Sequence, residues 1–101
     1  MSLSFIWHEN AILSLQEENT FILKKWNEQE VEKFNNLVNE NLERLLINPK
    51  IGLYNKQLNT YCLVISKQTT LYYDFNLDLG NIELLIFWNN LKNPDDLIKL
   101  L

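Results

Sequence analysis

A chain of 101 residues holds one domain around one core, and its 47% apolar and 12% aromatic content predicts folding rather than disorder. Thirteen acids against nine bases give a formal net charge of −4, the reverse of the basic excess that a phosphate-gripping surface usually carries. One cysteine, Cys62, excludes an internal disulfide, no apolar run is long enough to span a membrane, and no leader-like pattern opens the chain, so a cytoplasmic location is expected.

Residues 3–8 alternate Leu3, Phe5 and Trp7 with Ser4, Ile6 and His8, which predicts a strand. From Asn10 the period lengthens to that of a helix. Ala11, Leu15, Ile22 and Trp26 fall on one side of it, with Glu17 and Glu18 placed elsewhere around the axis. Asn27 followed by Glu30 has the spacing of a capping box and opens a second helix. Its apolar stripe is Val31, Phe34, Val38, Leu42, Leu45 and Leu46. Pro49 ends it, because proline disfavours helical geometry in the residue before it.

After Gly52 the period shortens to two. Tyr61, Leu63 and Ile65 alternate with Cys62, Val64 and Ser66, and Leu71, Tyr73 and Phe75 alternate with Tyr72 and Asp74. Lys67-Gln68 between these runs is short enough for a hairpin, and Asp78 to Asn81, with Gly80, makes the next turn. Residues 82–88, apolar on both faces except Glu83, have the pattern of a central strand covered on both sides. Pro94 then opens a short terminal helix, with Asp95 and Asp96 near its positive end.

The predicted fold class is therefore α+β: an N-terminal strand, a two-helix hairpin, then an antiparallel β-meander of three or four strands, with the helices packed on one face of the sheet. No repeat or linker divides residues 1–101, which are expected to form a single domain. The core should set the stripe of the second helix against Trp7, Leu63 and Ile86.

Six short segments stand out by their order and spacing: WHENA (7–11), LKKW (23–26), NPKIG (48–52), YCLVI (61–65), LYY (71–73) and LLIFWNNLKNP (84–94). Across residues 5–97 they resemble the RelE/ParE toxins of bacterial type II toxin–antitoxin (plasmid stabilisation) systems. The resemblance implies a compact toxin neutralised by a cognate antitoxin, which lays a helix or strand along it. It also implies one of two targets, DNA gyrase in the ParE branch or messenger RNA on the ribosome in the RelE branch. A third reading is a degenerate, non-toxic protein that still binds antitoxin. Three positions depart from the family pattern: Cys62 and Leu91 stand where arginine is usual, and Asn89 where aspartate is usual.

RNA cleavage by 2′-hydroxyl attack needs a base, a donor for the leaving oxygen and cations for the phosphate. His8 is the one histidine and has no recognisable partner in the sequence; Tyr54, Tyr61, Tyr72 and Tyr73 are the possible donors. The tail after Pro94 has no Tyr, His or Arg. Lys50, Lys56 and Lys67 lie with Arg44 in an acid-free stretch, residues 44–73, that is suited to a local positive patch. The candidate target- or antitoxin-contacting residues are Lys50, Lys56, Tyr61, Lys67, Tyr73 and Lys92. Tyr72 and Tyr73 must point to opposite sheet faces, so one at most joins a site and the other belongs to the core. The chain has no phosphate-binding glycine loop, metal-ligand cluster or nucleophile motif, so no metal and no small-molecule cofactor is expected, and no catalytic residue is assigned.

Overall fold

The structure, a computed structural model, describes residues 2–101. Strand β1 (Ser4–Trp7) leads into helices α1 (Glu9–Lys25) and α2 (Glu28–Ile47). A 3-10 turn at Pro49–Ile51 then enters β2 (Leu53–Asn55), β3 (Thr60–Val64), β4 (Thr69–Asn76) and β5 (Asn81–Asn89), and α3 (Pro94–Leu100) ends the chain. The sheet order is β1-β5-β4-β3-β2. Strands β2 to β5 form the antiparallel meander, whereas β1 pairs parallel to β5, so the α+β fold has a mixed sheet. Parallel pairing needs a long crossover, and the whole helical hairpin and meander provide it.

Local chemistry sets the element ends. The Asn27 side chain accepts from the Glu30 N–H at 3.0 Å, as the capping spacing predicts. Asn48 and Asn93 cap the 3-10 turn and α3 in the same way. Gly80, at φ 69°, supplies the left-handed residue that closes the β4–β5 turn.

On α2, Phe34, Val38, Leu42 and Leu45 are buried against Leu63, Leu71, Tyr73, Ile82, Leu84 and Phe87 of the sheet, while Leu46 stays exposed. Two of the expected core assignments change. Trp7 stacks on Phe87 at 6.0 Å between ring centres but remains partly exposed. Ile86 lies on the opposite face, packed with Trp88 and Leu97. The cause is a β-bulge: Tyr72 pairs with Ile86 and Tyr73 with Leu84, which leaves Leu85 unpaired. One extra residue reverses the alternation, so Ile82, Leu84 and Phe87 face α1 and α2 while Ile86 and Trp88 face away. Helix α3 covers them there through Leu97. Helices thus pack on both faces of the sheet, α1 and α2 on one and α3 on the other, rather than all on one.

The stripe of α1 also differs from expectation. Trp26 is 61% exposed at the helix end, and the buried residues are Ala11, Glu18 and Ile22. Glu18 faces the core because it stands seven residues after Ala11 and four before Ile22.

The Tyr73 hydroxyl ties β4 to the chain around the 3-10 turn. It donates to the Pro49 carbonyl at 2.7 Å and accepts from the Gly52 N–H at 3.0 Å. A Cβ on Gly52 would lie 2.6 Å from both the Cys62 carbonyl oxygen and the Tyr73 hydroxyl, so only glycine fits. The NPKIG, YCLVI and LYY segments therefore meet at one contact.

Candidate functional site

The sheet face turned away from α1 and α2 carries two side-by-side rows of side chains, one apolar and one polar. Strand register builds the apolar row: Leu53 opposes Cys62, Cys62 opposes Tyr72, and Tyr72 opposes Ile86. Helix α3 covers the Ile86 end, but Leu53 is 77% and the neighbouring Val64 66% exposed. Burial pushes the Cys62 thiol up, which keeps it protonated and unreactive at neutral pH. Burial, and then the neighbouring Cys62, raise the Tyr72 hydroxyl likewise. The apolar row itself holds no base, and it presents apolar area to whatever approaches.

The polar row runs through Asn55, which opposes Thr60, and Asp74, which opposes Glu83. Thr60 and Asp74 come alongside each other one residue beyond the Tyr61–Tyr73 pair. Parallel pairing of β1 with β5 supplies the partner that His8 lacks in the sequence: its Nε2 donates to Glu83 Oε1 at 3.1 Å. Both side chains of that pair remain substantially exposed. Burial holds the Asp74 carboxyl above its ordinary range; the Phe75 N–H lowers it in part, and Glu83 raises it again. Among the described residues, no lysine or arginine forms an ion pair with Asp74 or Glu83.

The six candidates named from sequence do not converge. Lys50 sits in the 3-10 turn and Lys56 between β2 and β3. Lys67 lies in the β3–β4 turn, beside Trp26 and Phe34 at the groove between α1 and α2. Lys92 pairs with Glu17 at 3.3 Å and lies over the Trp88 ring at 5.7 Å. Tyr61 belongs to an aromatic cluster on the helix side, 5.2 Å from Tyr54, 5.7 Å from Tyr73 and 4.9 Å from Phe75 between ring centres. Tyr73 is the core member of its pair: it is fully buried and its hydroxyl is used within the fold, so it is not available for contact with a partner. Tyr72 is the tyrosine that reaches the opposite face. Asn89 is buried and donates to Glu18 rather than lining an exposed surface. The His8–Glu83 pair was missed because it depends on which strand lies beside β1; the one hint was that Glu83 is the single charge in an apolar strand. Among the described residues, no group of three His, Cys, Asp or Glu side chains is arranged to hold a metal, and no helix is long and apolar enough to cross a membrane.

A pH-dependent prediction follows from Asp74. Its folded pKa lies above the unfolded value of about 3.9, so the folded chain binds that proton more tightly. The stability this confers is fully present below the unfolded value and is lost as pH rises through the folded one. Asp74→Asn is therefore expected to raise the urea midpoint at pH 7 and to leave it nearly unchanged at about pH 3. Parallel urea titrations of both proteins at the two pH values check this.

In comparisons with protein-family models and with curated proteins, nothing matches this chain.

Proposed function

We propose that this chain is the toxin-like component of a type II toxin–antitoxin pair of the RelE/ParE kind, neutralised by a cognate antitoxin, and that it acts on its target by binding, as gyrase-directed members do. The observation that carries the reading is the row Leu53–Cys62–Tyr72: an apolar surface with a protonated thiol, at a position where the family usually places arginine. Binding toxicity needs shape and apolar area, whereas RNA cleavage needs cations and a base. The antitoxin is assigned to the same face, with Leu53 and Val64 as its apolar contacts. Lys50 and Lys56, in the segments flanking β2, are the charges that an acidic antitoxin tail would meet. The resemblance gains weight from the contact that joins its NPKIG, YCLVI and LYY segments through Tyr73 and Gly52.

Induction of this protein alone in a bacterial host tests the reading. Growth arrest is expected, relieved when the small neighbouring gene is co-expressed. Normal growth together with a stable complex between the two products would favour the degenerate, antitoxin-binding alternative.

A further inference from the structure

Strand β1 forms one edge of the sheet, and its hydrogen bonds show what that edge offers. The Ser4 N–H donates to the Gly80 carbonyl and the His8 N–H to the Leu84 carbonyl, both at 3.0 Å. Parallel register with β5 places Ile6 between them, opposite Glu83. Alternation along the strand therefore commits Ser4, Ile6 and His8 to β5 and turns the N–H and C=O of Phe5 and Trp7 outward. Among the described residues no strand meets that side. His8 keeps extended backbone, at φ −71° and ψ 153°, which carries the edge one residue beyond β1. Edge strands are commonly blunted by lysine, proline or an inward-pointing charge. Residues 2–8 contain no Lys, Arg, Asp, Glu or Pro, whereas the opposite edge, β2, is followed at once by Lys56. Ile6 and Trp7 are both exposed to solvent there.

We propose that β1 pairs antiparallel with β1 of a second copy across a two-fold axis at Ile6, joining the two sheets edge to edge. Phe5 then exchanges both of its outward hydrogen bonds with the second copy's Trp7, and Trp7 with the second copy's Phe5. The side chains select this register. On the outer face it sets Ile6 against its own copy and Ser4 against His8, so apolar meets apolar and polar meets polar. An axis at Phe5 would oppose Ile6 to Ser4, and an axis at Trp7 would oppose it to His8. On the helix side, where Phe5 packs on the core and Trp7 stacks on Phe87, the register brings Phe5 beside the second copy's Trp7, a favoured cross-strand pair. This self-complementarity is what commits the edge to a second copy. The strip falls short of the roughly 1,200 Å² that stable interfaces bury, so association is weak and concentration-dependent. Because β1 and β2 are opposite edges, the dimer leaves the row Leu53–Cys62–Tyr72 open and does not depend on the toxin reading.

Sedimentation equilibrium of the full chain, from low-micromolar to millimolar concentration, tests the pairing. The mass is expected to rise with concentration from the 12.1 kDa of one chain towards twice that value. Ile6→Lys sets two like charges face to face at the axis and should weaken association at least about tenfold. Ile6 is 44% exposed, so an unchanged urea midpoint will show that this variant still folds. Cross-linking tests the register itself. In a Cys62→Ser background, Ile6→Cys should oxidise to a covalent dimer, because facing Cα atoms about 4.5 Å apart lie within disulfide reach. Ile12→Cys, equally exposed but on α1, should not. Amide exchange at Phe5 and Trp7 should slow as concentration rises. A chain that stays monomeric to millimolar concentration, a dimer that survives Ile6→Lys, or cross-linking as fast through Ile12→Cys as through Ile6→Cys would overturn the pairing.

Discussion

Replacing Glu18 by alanine is expected to cost about 3–6 kcal/mol of folding stability, from two hydrogen bonds to a buried carboxylate at about 1.5–3 kcal/mol each. Glu18 is 4% exposed, and its two oxygens accept from Thr69 Oγ1 at 2.6 Å and Asn89 Nδ2 at 3.0 Å. Thr69 is fully buried and Asn89 nearly so, so alanine leaves two donors in the core without acceptors as well as a void. Glu18→Gln should cost less, because its carbonyl oxygen still serves one of the donors. Removing the whole set, with Glu18→Leu, Thr69→Val and Asn89→Leu together, should recover most of the loss, since apolar groups of similar shape replace both sides of each bond. Urea unfolding of the unaltered protein and the three variants checks the series, and a cost below about 1 kcal/mol for the alanine variant would show that water replaces the carboxylate. The same contact gives Asn89 a structural role. Aspartate at position 89 would set a second carboxylate against Glu18, whereas Asn89 donates a hydrogen to it.

Much of the architecture was legible from periodicity alone. A strand within residues 3–8, the capping spacing of Asn27 with Glu30 and the stripe from Val31 to Leu45 all appear as expected. What failed to show has identifiable reasons. Strand β5 is apolar on both faces, so its side chains cannot reveal the bulge at Leu85 or the reversal that carries Ile86 to the far side. Strand β2 has three residues, too few for an alternation to register. Glu18 occupies the position that helical geometry assigns to the core, but its charge argued against burial, and only the donors Thr69 and Asn89, 51 and 71 residues away, reconcile the two. The sites were less legible still. His8 with Glu83, and Thr60 with Asp74, depend on strand pairing that composition does not encode. The lysines were named as a patch because they share an acid-free stretch of sequence, yet Lys50, Lys56 and Lys67 occupy three separate turns.

Purified protein is expected to leave messenger RNA on translating ribosomes uncut, with a rate at least about a hundredfold below that of a ribosome-dependent endoribonuclease of the RelE kind, since each lost cationic or hydrogen-bonding contact to the transition state commonly costs that much. Three features converge on this result. The net charge is −4, Cys62 and Leu91 stand where the proposed kinship with RelE/ParE toxins would place arginine, and the tail beyond Pro94 has no Tyr, His or Arg. The structure adds physical content to each. Cys62 sits in an apolar row beside Tyr72, with its thiol held protonated by burial. Leu91 is 73% exposed, in the turn after β5 and next to Lys92, whose charge is already engaged by Glu17. Lys50, Lys56 and Lys67 are strongly hydrated point charges without arginine's planar fork, and they lie in three different turns, so they do not form a single phosphate clamp. Losses within one catalytic unit are not additive, so restoring part of the set need not restore the rate. The informative comparison is therefore the unaltered protein beside Cys62→Arg with Leu91→Arg. Robust cleavage by the unaltered protein would sink the binding reading outright. Cleavage by the double variant alone would mean that the scaffold keeps every other requirement of a ribonuclease and that two side chains separate it from activity. With neither form active, supercoiling by DNA gyrase in the presence of the unaltered protein becomes the deciding assay, and inhibition there is the outcome that the apolar row Leu53–Cys62–Tyr72 leads one to expect.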